Sequence, residues 1–251
     1  MDFYGGIRPT FDKLALDFGA WLYYYPGGQC FSAGTVNLPA LTGAQACNAF
    51  NSGGNYQGVL VGPNFPLPNG NAAKAWASFY EVYGKATYTI SDYWSIGAQV
   101  YYSPNVANTG ANGTYAAGTI KFTAPAGMGV PLPKDVGFYA SVDGGYWWLG
   151  TSDAFYGVIS PGHPSYVNGV PYTSFANIDV GFGFTWKVFT LDFRYYTTNL
   201  NKGDCNAFTS DHTTFEFGHV TAINPGGLGS NWCGSTFVAK LSSDLTLANL
   251  K

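Results

Sequence analysis

From Phe189 to Tyr196 the chain alternates without a slip: Phe189, Leu191, Phe193 and Tyr195 hold one parity, and Thr190, Asp192, Arg194 and Tyr196 hold the other. Successive side chains of a strand point to opposite faces, so this stretch has one oily and one polar face. Residues 14–25 repeat the pattern, with Leu14, Leu16, Phe18, Ala20, Leu22 and Tyr24 set against Lys13, Asp17, Gly19, Trp21 and Tyr23. Similar stretches at 3–11, 78–90, 94–102, 114–123, 136–148, 175–186 and 236–243 bring the expectation to nine strands. The nearest helical pattern, 72–80, is short and runs into a period-2 stretch, so no convincing helix is expected.

The charges obey the same phase. Arg8, Asp17, Glu81, Lys85, Lys121, Asp143, Asp179, Asp192, Arg194 and Lys240 all take the parity opposite to the bulky apolar residues of their own strands. A soluble sandwich also alternates, but its outward face is wet and carries many Lys and Glu. Here charged residues make up 10% of the chain, against about 25% in ordinary soluble domains. The polar parity is instead rich in Gly, Ser, Thr and Tyr, with acids and bases mixed. That composition suits the interior of a barrel whose other face meets lipid. Arg8, Asp17, Glu81, Lys85, Lys121, Asp143, Asp179, Asp192 and Arg194 are therefore read as lumen-lining.

Other classes fall away. Aromatics at 18% exclude a disordered chain, and 34 glycines without a three-residue period exclude a collagen-like one. A net charge of −3 offers no cationic surface for nucleic acid. Mean hydropathy is zero, and no run reaches the roughly 18 apolar residues of a transmembrane helix. The 251 residues fit a single β domain spanning 1–251.

Connection lengths alternate as in outer-membrane barrels, which pair short periplasmic turns with long extracellular loops. Tight joints are expected at 9–13, 91–92 and 186–187, and long loops near 26–74, 103–112, 150–172 and 199–235, with 124–135 intermediate. Tyr23-Tyr24-Tyr25, Tyr101-Tyr102, Tyr146-Trp147-Trp148 and Tyr195-Tyr196 sit at the long-loop ends, and Trp94 and Trp186 at the short ones, as aromatic belts would. Nine strands cannot close as an antiparallel barrel, and open edges are not tolerated in lipid. An odd number of further strands and a signal peptide are accordingly expected upstream of Met1, giving ten to twelve in all. Closure by another subunit, or an overlooked strand, is the alternative.

Phe3-Tyr4-Gly5-Gly6-Ile7-Arg8-Pro9, Leu16-Asp17-Phe18-Gly19 and Tyr23-Tyr24-Tyr25-Pro26 form a series with Tyr80-Glu81-Val82-Tyr83-Gly84, Ala86-Thr87-Tyr88 and Tyr102-Ser103-Pro104. With Tyr196-Thr197-Thr198-Asn199-Leu200 ahead of a cysteine pair and a last strand, the chain resembles the TorF-type porins, a proteobacterial outer-membrane family also called Gcw_chp. The resemblance implies an up-and-down outer-membrane barrel with a porin-like channel and no particular solute. It departs where the family's Asp-Thr-Asn-Leu reads Thr197-Thr198-Asn199-Leu200, and where the chain ends on 243–251 without the aromatic strand end read by the barrel-assembly machinery.

No catalytic motif stands out. His163, His212 and His219, with Ser160 and Ser210, lie in the long loops without a surrounding motif. His212 and His219 with Asp211 and Glu216 read as a solvated loop before a metal site. Gly53-Gly54 and Gly226-Gly227 follow no strand-turn-helix pattern and read as loop punctuation. Cys30, Cys47, Cys205 and Cys233 show no zinc spacing, and an even number in polar loops suggests disulfides. Three connectivities are possible, and sequential pairing, tethering the two largest loops over one mouth, is the expectation.

The expected function is a narrow passive channel for small polar solutes in the bacterial outer membrane, with lipid, those solutes and the assembly machinery as partners and no enzyme activity, cofactor or metal. The alternatives are a plugged barrel acting through its extracellular loops, and a secreted soluble β protein with its apolar faces packed inward.

Overall fold

The structure, a computed structural model, describes residues 1–25, 78–124, 132–133, 135–153, 168–209, 211, 213–224 and 227–244. It is one antiparallel sheet of ten strands: β1 (Asp2–Ile7), β2 (Thr10–Phe11), β3 (Leu14–Tyr23), β4 (Phe79–Thr89), β5 (Trp94–Ser103), β6 (Gly113–Ala124), β7 (Val136–Leu149), β8 (Phe175–Trp186), β9 (Phe189–Thr198) and β10 (Thr236–Ser243). Each strand pairs with its neighbour in sequence, except that β1 and β2 both lie against β3.

β1 and β2 are one ribbon divided at Pro9. The register runs on unchanged, from Ile7 opposite Phe18 to Thr10 opposite Ala15. Pro9 still accepts from the Leu16 amide at 2.9 Å, but it has no N–H to return the bond, so the ladder breaks there. The expected strand 3–11 is thus split, and its position on the sheet edge is where proline is tolerated.

The tight joints fall where the sequence places them, at one end of the sheet. Trp186 pairs with Phe189 and Phe11 with Leu14, each across two residues, with Lys187 and Asp12 at φ of 52° and 50°. The strand ends that the long connections join lie at the opposite end. Gly150 donates to the Asn112 carbonyl and Asp153 to that of Thr109, both at 2.9 Å, which joins residues 109–112 to residues 150–153 there.

The 199–235 connection corrects the expectation that no helix forms. It holds α1 (Lys202–Thr209). Asn201 caps it reciprocally: its Oδ1 accepts from the Asp204 amide at 2.8 Å and its Nδ2 donates to Asp204 Oδ2 at 2.5 Å. Eight residues are too few for a helix stable by itself. Here the Cys205–Cys233 disulfide, with Cα atoms 5.6 Å apart, ties it to the end of the loop, and Phe208 packs on Tyr172 and Phe175. The expected pairing of Cys205 with Cys233 is formed. Cys30 and Cys47 lie outside the described residues.

The faces of the sheet invert the pattern of a soluble protein. Ile120, Val142, Ile178 and Val180, at mid-strand on the apolar parity, are 46–55% exposed. Glu81, Tyr83 and Ser141 on the charged parity are 6–8% exposed. Side chains on that parity also reach across an intervening strand. The Arg194 guanidinium on β9 donates to Ser141 on β7 at 2.9 Å, and Asn177 on β8 donates to Tyr115 on β6 at 3.3 Å. The sheet therefore curls toward its polar face. Among the described residues β1 and β10 are the two edges of the sheet, and they run in the same direction, as the first and last of nine consecutively antiparallel ribbons must.

Candidate functional site on the polar face

Register decides which charges meet. Asp143 on β7 stands opposite Asp179 on β8, and Arg194 on β9 stands opposite Gly181. A Cβ at position 181 would lie 2.5 Å from Arg194 Cγ, so the glycine makes room for the arginine stem to lie along the sheet. The guanidinium then gathers three carboxylates: Nη1 contacts Asp179 at 2.5 Å and Asp143 at 3.3 Å, and Nε contacts Asp192 at 3.0 Å. Hydroxyls take up further carboxylate oxygens, with Thr119 donating to Asp143 and Tyr139 to Asp192. Planar donors at fixed angles are what allow one arginine to serve three acids. One cation against three acids leaves this knot with an acidic surplus.

A second group lies toward the other edge. Asp17 accepts from Arg8 Nε at 3.1 Å and from the Tyr83 hydroxyl at 3.1 Å. Arg8 lies just past β1 with its side chain 71% exposed. Lys85 is the ladder partner of Asp17, yet its ammonium rests over the rings of Tyr83 and Tyr101, 5.1 and 5.2 Å from their centroids. Glu81 is buried beside Tyr23. Lys121 lies over the Tyr139 ring at 4.8 Å. All nine expected residues thus share one face, in two groups and not in a single ring.

Above the ionic level runs an aromatic row that the pattern of charges did not announce. Tyr83, Tyr101, Tyr115, Trp147 and Phe175 are successive ladder partners across five strands, with centroids 5.5, 6.4 and 4.8 Å apart along the first four. Phe175 carries the row to Phe208 of α1. Glycines admit the rings: a Cβ at Gly19 would lie 2.7 Å from the Tyr83 hydroxyl, and one at Gly183 would lie 2.4 Å from Tyr139 Cζ. The bulk of these side chains is legible in the sequence, but their alignment needs the register.

In the loops, Lys202 Nζ and His219 Nε2 both contact Glu216 Oε1 at 2.9 Å. Asp211 accepts from Thr213 and from Ser230 Oγ, the latter at 2.7 Å. Among the described residues no group of three or more His, Cys, Asp or Glu is placed to hold a metal. His163, His212, Ser160, Ser210, Gly53-Gly54 and Gly226 lie outside the described residues. Comparison of the chain with family models, with curated proteins and with solved structures finds no match.

Proposed function

We propose that this chain forms an outer-membrane β-barrel of the TorF-type porin kind, which passes small polar solutes passively through a narrow polar lumen. The observation that carries the reading is the inversion of the two faces: aliphatic side chains stand exposed while aspartates and an arginine are shielded. Hydrocarbon is the solvent in which that arrangement is stable, because each buried acid finds a partner inside and each apolar side chain meets lipid. Strand lengths support it, since β3 to β9 have 10–14 residues, enough for the tilted span of about 9–11 that a bilayer requires. Exposed aromatics at both strand ends, Tyr102, Trp148 and Tyr195 on the long-loop side and Trp94 and Trp186 on the turn side, suit two interfacial belts. In a bilayer the β1 and β10 edges have to be paired, and because they run the same way an antiparallel closure takes an odd number of further strands.

The aromatic row and the Arg194 knot favour a second reading, in which the lumen is filled and the barrel acts through its capped loops. Planar-bilayer recording separates the two. Discrete conductance steps are expected from the channel, and closed traces with surface labelling of residues 199–235 from the plugged barrel. Purification without detergent would overturn both.

A further inference from the structure

Among the described residues, part of the polar face is filled by neither the ionic knot nor the aromatic row. At the tight-turn end of β6 to β9 lies a cavity of about 410 Å³, lined by Lys121, Thr123, Tyr139, Thr185 and Thr190, with Asp135 and Lys187 at its rim. Its lining differs from the rest of the face in what is left unbonded. Among the described residues the hydroxyls of Thr123, Thr185 and Thr190 make no hydrogen bond to another group, and Lys121 has no carboxylate within salt-bridge distance, while the Lys187 ammonium turns outward over the Trp186 ring, 4.9 Å from its centroid. Lys121 is nonetheless held in place. Its ammonium lies 4.8 Å from the centre of the Tyr139 ring, and that ring is fixed by its hydroxyl bond to Asp192 and by the space at Gly183. An aromatic face positions a cation without neutralising it.

We infer that this cavity is a binding site for a small organic oxyanion, a mono- or dicarboxylate or a phosphate ester, entering from the tight-turn side. The Lys121 ammonium supplies the charge inside the cavity, with Asp135 at the rim, and the threonine hydroxyls supply short donors at fixed positions on three strands. The volume lies at the lower end of the range for small-molecule pockets, so a compact metabolite fits. The acidic surplus around Arg194 lies deeper on the same face and repels an anion that has passed the site, which therefore holds its ligand at the entrance. The inference extends the channel reading by naming a solute class, while its binding half does not require conduction.

Calorimetry on the detergent-solubilised full chain, with succinate and inorganic phosphate as separate probes and choline chloride as the control, tests it. Saturable binding of at least one anion is expected, none of choline, and about tenfold weaker binding in Lys121→Gln, the loss of one charge-assisted contact. Thr185→Val, which leaves every charge in place, is expected to weaken binding several-fold. Both variants are first checked for the wild-type thermal transition, and if one fails that check the other decides. No saturable binding to the wild type, or equal affinity in a folded variant, overturns the site. Binding that persists in a protein giving silent bilayer traces refutes the channel and leaves the site standing. Conductance steps without binding do the reverse.

Discussion

Asp143 and Asp179 stand opposite each other on neighbouring strands, a placement that costs free energy unless a cation lies between them. Arg194 is that cation, and it also holds Asp192. Arg194→Leu is expected to destabilise the folded protein by about 3 kcal/mol, the lower end for removing one partner of a buried pair, since the arginine side chain is 18% exposed. Urea titration in micelles checks this. Arg194→Lys should recover only part of the loss, because a point charge cannot serve three acids at once. Glu216 gives the pH counterpart in the loops. Its hydrogen bond from Lys202, and then that from His219, holds its carboxyl below the ordinary range. A depressed folded value means the contribution is present above the unfolded value, near about 4.3, and is lost as pH falls through the lower folded one. Hydrogen exchange at Ser230, whose amide donates to Lys202 O at 2.9 Å, should lose protection in that acidic window after correction for intrinsic rates. Glu216→Gln should show no such step. The alternation placed Asp143, Asp179 and Arg194 on one face, but nothing in it shows that two of the acids are ladder partners.

The strands and the loop cap are stabilised by different means. Each central strand is held on both sides by ladder bonds and by a face of matched side chains, whereas α1 depends on the Asn201 cap, the packing of Phe208 and one disulfide. Replacing Cys205 and Cys233 together by Ala removes a constraint on a loop of 28 residues, worth about 3–4 kcal/mol in the chain-entropy picture. The effect is expected to be local. Limited proteolysis should cut between 201 and 235 in the variant while the far-ultraviolet signature of the sheet stays unchanged. The helix had a signal in Asn201 followed three residues later by Asp204, which is a capping pattern. The segment that follows carries no apolar period, and the contacts that hold it, Phe208 on Tyr172 and Phe175 some thirty residues earlier and Cys205 to Cys233, are distant in sequence.

At the scale of the molecule, a pair of substitutions tests whether the apolar face meets hydrocarbon, as the proposed barrel requires. Val180→Arg on the apolar face should cost about 2–4 kcal/mol when folding is measured into lipid vesicles. Gln99→Arg at mid-strand on the polar face should change stability by less than about 1 kcal/mol. If the exposed apolar face were wet, the order of the two would be reversed. Face identity was legible residue by residue, because a period of two is a local property of a single ribbon and every ribbon carries its own copy of it. The tight turns were legible for the same reason, being the places where the alternation is interrupted for two or three residues. Which side chains meet was not. Arg194 lies 51 residues from Asp143 and Tyr83 lies 66 from Asp17, so their pairing rests on the register of whole strands. The sheet's curl, which brings β7 and β9 within side-chain reach, is a property of the assembled ladder. Alternation determines what each face is made of, and only the folding of all the strands together decides which groups on it become neighbours.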